Sequence, residues 1–147
     1  MEVTAWPGEH RKTHVFGAMD PIRSRVYRHL AGTINSVHFV RFLRLLLKRY
    51  PRKELIVVLD NARWHKGRAV REFLTSHKRL KLFFLPKYSP DMNPIEPFWK
   101  LLRMDVTHNH FFGDLTHLKR AIEKGIYNRN REPKSIKNLS GRYVSVH

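Results

Sequence analysis

Asp60 and Glu96 are the residues of this chain best placed to do chemistry. Asp60 ends the apolar run that contains Val57, with Asn61 directly behind it, and Glu96 ends the stretch FFLPKYSPDMNPIE. Acids are scarce, 12 Asp plus Glu against 29 Lys plus Arg, for a net charge of +17. Two carboxylates kept at the edges of regular elements in so cationic a chain invite a metal ion as their explanation. Mg²⁺ is a hard cation that takes oxygen ligands, commonly a few carboxylates completed by water and substrate phosphate. Two such cations about 3.5–4 Å apart can cut a phosphodiester, because they steady the attacking and the leaving oxygen. Each residue also has a plainer reading on spacing alone. Asp60-Asn61 suits a strand-end turn, and Glu96 suits a capping box with Asn93, with Pro94 in the first helical position. His65 could equally be a packed histidine, and Asp91 a turn former after Pro90.

The elements that must position these residues are legible in outline. Residues 1–10 hold a Trp-Pro-Gly break and read as a loop. Residues 14–19 and 25–30 read as a hairpin about Asp20-Pro21. The clearest helix covers 36–50, capped by Asn35 or Ser36 and stopped by Pro51. On it Val37, Val40, Leu43, Leu46 and Leu47 form an apolar face, while His38, Arg41, Arg44 and Lys48 form a basic stripe. The run LIVVL at 55–59 predicts a strand buried on both faces. A helix over 66–77 with Val70, Phe73 and Leu74 inward, a buried strand over 80–85 and a rigid loop over 86–92 follow. Helices over 93–105 and 115–127 complete the pattern. Strands alternating with helices between 36 and 105 predict an α/β layer architecture. The segment after Asn128 is polar and basic and is left unplaced.

Composition narrows the function class. At 147 residues, 41% of them hydrophobic, the chain fits one domain with a real core. The pI of about 10.8 arises from cations spread along the whole length. The folded surface itself should therefore be cationic, and nucleic acid is its natural partner through phosphate neutralisation. A merely basic protein, or one that binds anionic membrane, is the bland alternative. No apolar run is long enough to span a bilayer, so no membrane partner is expected. The absence of cysteine excludes disulfides and thiolate metal sites and favours a cytoplasmic setting, at the nucleoid in a prokaryote.

VVLDNARWH followed by LPKYSPDMNPIEPFWKLL resembles the DDE endonuclease domain of mariner-type insertion-sequence transposases, over roughly residues 6–122. The resemblance implies a ribonuclease-H-like mixed sheet flanked by helices over 1–128, truncated at its N-terminus, with a basic C-terminal tail over 129–147. It further implies metal-dependent DNA strand cleavage and transfer, with Mg²⁺ or Mn²⁺ as cofactor and transposon ends and target DNA as partners. By this likeness Asp60 is the second acid of the triad and Glu96 the third, both ligating metal. Asn61 and His65 match family positions and would orient ligands or touch phosphate. Arg41, Arg44, Lys48, Arg63, Lys66 and Lys87 would grip the DNA backbone, and Trp64 and Trp99 read as core residues. A second copy of the chain, or an upstream-encoded transposase segment, is the protein partner to look for.

The chain departs from the family pattern in three places. The leading aspartate belongs on a strand before Trp6, which the sequence does not contain. Asp20, beside Pro21 in a turn, and Glu2 are poor substitutes. That strand is the middle of the family's sheet, so its loss leaves the hairpin and the strand ending at Asp60 with unpaired edges. Pro97 also follows Glu96, restricting the residue before it and delaying the helix start. The expected protein is thus an incomplete transposase catalytic domain. Its rivals are a non-catalytic, basic nucleic-acid-binding protein derived from a transposase, and an active nuclease completed by another acid. Each buried unpaired backbone group costs about 1–3 kcal/mol, against a whole-domain stability of about 5–15 kcal/mol. The purified chain should therefore melt broadly or only as an associated species. A sharp two-state calorimetric transition of monomer would contradict this.

Overall fold

The computed structural model describes residues 2–4, 12–87, 90–108 and 112–140. The first elements are β1 (Glu2–Thr4), β2 (Lys12–Asp20), β3 (Arg25–Ala31), α1 (Ser36–Arg49) and β4 (Leu55–Leu59). They are followed by α2 (Arg68–Ser76), β5 (Leu80–Phe84), α3 (Ile95–Thr107), α4 (Leu115–Asn130) and α5 (Pro133–Ser140). Two compact units result, one from Met1–Gly32 with Pro94–His147, the other from Thr33–Asn93. None of the helices is long and apolar enough, over the described residues, to cross a membrane.

In the first unit β1, β2 and β3 form an antiparallel sheet in that order. Residues 2–4, expected in a loop, instead pair with β2, Glu2 opposite His14. Three residues suffice because β2 offers them an otherwise open row of backbone donors and acceptors. The β2–β3 hairpin turns on Asp20, whose Oδ1 accepts the N–H groups of Ile22 (2.9 Å) and Arg23 (3.0 Å), while Ser24 takes a positive φ of 52°. One face of this sheet carries Val15 and Val26 into a core shared with Phe98, Trp99 and Leu102 of α3. Leu118, Ile122 and Ile126 of α4 and Ile136 of α5 complete it, all four fully buried. The side chain of Asn130 satisfies both backbone groups of Val26, at 2.8 and 2.9 Å, so the end of α4 serves β3 in place of a further strand. Arg129 grips both carboxylate oxygens of Asp105 across α4 and α3. The stretch left unplaced after Asn128 is therefore helical at 133–140 and lends Ile136 to the core. Its single buried apolar residue gave too weak a periodicity to show it.

In the second unit β4 and β5 pair in parallel, Leu55 opposite Leu80 through Leu59 opposite Phe84. Asn35 caps α1 by accepting the N–H of His38 at 2.9 Å. The buried face of α1 is Phe39, Phe42, Leu43, Leu46 and Leu47, whereas Val37 is exposed. The two phenylalanines, larger than valine, centre the contact and rotate the face away from Val37. At the far end of α1 the guanidinium of Arg79 donates to the carbonyls of Leu47 and Tyr50 at the helix end and of Lys53 in the turn beyond it.

As expected without the family's middle strand, the sheet is in two pieces: among the described residues no strand bridges the three-stranded and the two-stranded sheets. One expectation is corrected. The strand over 55–59 is covered on one face only: Ile56 and Val58 are 66% and 50% exposed, as is Phe83 beside them at 61%. An unbroken apolar run makes both faces of a strand sticky without providing a layer for each.

Gly17 lies against the ring of Trp99 so closely that a Cβ there would overlap two ring carbons and come 3.2 Å from Ile95 Cδ1. Gly17→Ala should lower stability by about 1–3 kcal/mol, the usual cost of overpacking. Adding Trp99→Phe should recover part of the loss, and thermal melts of the three variants would check it. An unchanged melt for Gly17→Ala would show that α3 is not fixed by this contact.

Candidate active site

Asp60 follows the last residue of β4, at the carboxyl edge of the parallel pair, where α/β proteins gather ligands. Its Oδ1 accepts the N–H of Ala62 at 3.0 Å and lies 2.9 Å from Nδ1 of His65. The same imidazole nitrogen is 3.2 Å from the Asp60 carbonyl. Both neighbours are acceptors, which places the ring proton on Nδ1. The contacts converge on one carboxylate oxygen, and Oδ2 has no partner among the described residues. The side chain is 61% exposed.

His65 is buried in the 3-10 turn Arg63–Lys66. Its ring packs between those of Trp64, at 3.6 Å, and Phe39, at 4.6 Å. Burial lowers its pKa, outweighing the opposing pull of Asp60, so the imidazole is held neutral. Ser36 at the start of α1 donates to the carbonyl of Trp64 at 2.8 Å. Gly67 makes that approach possible, since a Cβ there would overlap the Ser36 hydroxyl.

Asn61 donates from Nδ2 to the Leu85 carbonyl and accepts from Lys66 through Oδ1. It thereby ties the exit of β4 to that of β5, beside the bond from Leu85 N–H to Leu59 carbonyl at 2.8 Å. Lys66 also lies over the Phe84 ring at 4.6 Å. Arg63 and Lys87 are exposed, as are Arg41, Arg44 and Lys48 along α1, with Arg44 also resting 5.5 Å from the Phe73 ring centre. The structure thus gathers Asp60, Asn61, His65, Arg63 and Lys66 in one turn of the second unit.

Glu96 belongs to the other unit. It is exposed in the first turn of α3, a helix that begins at Ile95, with Pro97 accommodated in that same turn. Pro94, and not Asn93, sits at the cap and has no side-chain acceptor to offer, so the expected capping box does not form. Phe98, Trp99, Leu102 and Val106 bury the opposite side of α3. Trp99 is a core residue, as expected, and Trp64 is half-buried, edge-on to Phe39 at 5.4 Å. Among the described residues no three His, Asp or Glu side chains cluster into a cage for a metal.

The family model described as DDE superfamily endonuclease matches residues 2–119. The chain belongs to this family. Among its relatives are the 39 kDa protein of insertion element IS630 from Shigella sonnei, 26% identical over 117 residues, and the Tc3 transposase of Caenorhabditis elegans, 29% identical over 113 residues. These matches take in 79% and 74% of this chain but 34% of each relative, so the chain spans about a third of their length. The fold is that of the Mos1 transposase catalytic domain, solved with raltegravir and Mg: TM-score 0.64, 21% identity, 99% of this chain and 83% of that one. The Mos1 paired-end complex with the left transposon end matches with TM-score 0.61 and 22% identity, over 95% of this chain and 47% of that chain. The ribonuclease-H-like α/β class read from the motifs therefore holds, with the sheet in two pieces.

Ser36, Gly67 and Leu85 support the Asp60 turn and carry no sequence signal, because each acts across a long separation. His65→Ala should loosen the turn. A net hydrogen-bond loss of about 0.5–1.5 kcal/mol corresponds to up to roughly tenfold faster amide exchange at Ala62 and its neighbours. Hydrogen-exchange mass spectrometry would measure it, and His65→Asn, which keeps an N–H donor, should lose less. Exchange rates equal to wild type would mean the turn holds without the histidine.

Proposed function

We propose that this chain supplies two acids, Asp60 and Glu96, of a transposase site for metal-dependent DNA strand cleavage and transfer. The observation that carries the reading is the Asp60 carboxylate, anchored through Oδ1 with Oδ2 open to solvent at the end of a parallel strand. Glu96, exposed on the first turn of a well-buried helix, is the second oxygen donor. Hard carboxylate oxygens at rigid positions fit Mg²⁺ or Mn²⁺. When bound, the cation supplies charge neutralisation and an activated water or DNA 3′-hydroxyl for in-line attack on phosphorus. His65, neutral and buried, fixes the direction of Asp60, and Asn61 fixes the backbone from which it projects.

The partner is DNA, both transposon ends and target. The basic stripe of Arg41, Arg44 and Lys48, with Arg63 and Lys87, would hold its phosphates. Asp60 and Glu96 leave the site short of the triad's leading aspartate, which a transposase segment encoded upstream would supply. The chain alone should therefore nick DNA weakly or not at all. A non-catalytic DNA-binding role follows from the same net charge if the acids do not share a metal.

Fe²⁺ substituted for Mg²⁺ tests the pair without requiring turnover, since peroxide then cleaves backbone close to the bound ion. Cuts are expected beside both Asp60 and Glu96, suppressed by excess Mg²⁺ and by either Asp60→Asn or Glu96→Gln. Cuts at one acid alone, or cuts indifferent to both substitutions, would sink the shared-metal reading and leave the binding role.

A further inference from the structure

The second unit carries a basic pole at the end of its strands remote from Asp60. Two turns form it, KRYPRKE at 48–54 and HKRLK at 77–81. They are locked side by side, because the Arg79 guanidinium binds the carbonyls of Leu47, Tyr50 and Lys53 while the Leu55 N–H donates to the Arg79 carbonyl at 2.7 Å. Arg49, Arg52, Lys53 and Lys78 are all exposed, as is Lys48, the last cation of the α1 stripe, which borders them. None of these five has a carboxylate partner among the described residues. Glu54 is the one acid in either turn, and it is paired with Lys81.

Part of this charge has an internal use. Lys48 and Arg49 suit the negative end of the α1 dipole. Arg79 already satisfies the helix-end carbonyls, however, so Arg52, Lys53 and Lys78 have no task in the fold. Like charges gathered on one rigid corner repel one another, and such an arrangement persists where a polyanion relieves it.

We propose that this pole is a second binding surface for the sugar–phosphate backbone of duplex DNA, separate from the edge that carries Asp60. The five-residue strand β4 spans on the order of 16 Å, which sets the pole that far from the carboxylate. That distance is roughly five base pairs of duplex, so the phosphates held at the pole are different ones from those held at Asp60. The surface takes its partner's identity from the DNA-acting reading above, but its geometry lies within one unit and does not need Asp60 and Glu96 to share a metal. Lipid is the poorer fit. The large apolar side chains of the two turns, Tyr50 and Leu80, are buried, and nothing is left to insert into a bilayer.

The salt dependence of binding to a short duplex of arbitrary sequence tests the surface. Replacing Arg52, Lys53 and Lys78 together by Gln should reduce the slope of log K against log [salt] by about 2–3, since each phosphate contact contributes about 0.9. Neutralising three exposed cations of the other unit, Arg120, Lys124 and Lys134, should change it by less than half as much. The chain has no cysteine, so Arg52→Cys and Lys78→Cys can each carry a photocrosslinker, and both should crosslink to the duplex. Asp60→Asn and Glu96→Gln should leave slope and crosslinks unaltered, which separates failure of the metal site from failure of the pole. A triple variant with the wild-type slope would overturn the proposal, as would an equal loss in the control. Displacement by anionic vesicles or RNA more readily than by duplex DNA would overturn it too.

Discussion

The Asp60 carboxylate is fastened by one oxygen, and much of the second unit serves that fastening. The parallel pairing of β4 with β5 brings the ends of both strands to one edge, where Asn61 can reach across to the Leu85 carbonyl. With the backbone so held, Ala62 and His65 meet Oδ1. His65 does this as a neutral ring, since burial among Trp64 and Phe39 lowers its pKa. A charged imidazole would pair more strongly with Asp60 but would offset the negative charge that the proposed cation needs. Ser36 and Gly67 extend the same support to the start of α1, where side-chain-to-backbone bonding replaces the missing bulk.

Glu96 depends on a different kind of support. Pro94 at the start of its helix offers no side-chain cap, and apolar burial fixes α3. Trp99 against Gly17 sets how close α3 lies to β2, and Ile136 of α5 closes the core from the other side. A carboxylate in a first turn also meets the positive end of the helix dipole, a favourable setting for a group meant to stay ionised. Pro97 is harmless there, since the N–H it lacks has no acceptor in a first turn.

The large excess of cations divides by use. Arg28 pairs with Glu123, Arg129 with Asp105, and Arg79 closes the carbonyl end of α1. These are parts of the fold, where a guanidinium's several donors satisfy buried or partly buried oxygens. The cations of the α1 stripe and of the basic pole face outward and do no comparable work inside. An argument from net charge alone cannot separate the two groups, because a structural arginine and a phosphate-binding one count equally.

Most of the elements were legible because each rests on local pattern. The 3.6-residue period marked α1, the β-branched run marked β4, and Pro94 with Pro97 placed the start of α3. The motif around Asp60-Asn61 and Glu96 likewise identified the family before any geometry. What depended on contacts between distant residues was hidden: the pairing of residues 2–4 with β2, the burial of Ile136, the service of Asn130 to Val26, and the exposure of Ile56, Val58 and Phe83. The sequence by itself determined which residues have the chemistry to bind a metal and which elements carry them, since both follow from side-chain type and near-neighbour spacing. Only the tertiary structure decided that Asp60 is held through a single oxygen by a buried, neutral His65, because burial and hydrogen-bond direction arise when segments far apart in the chain are packed together.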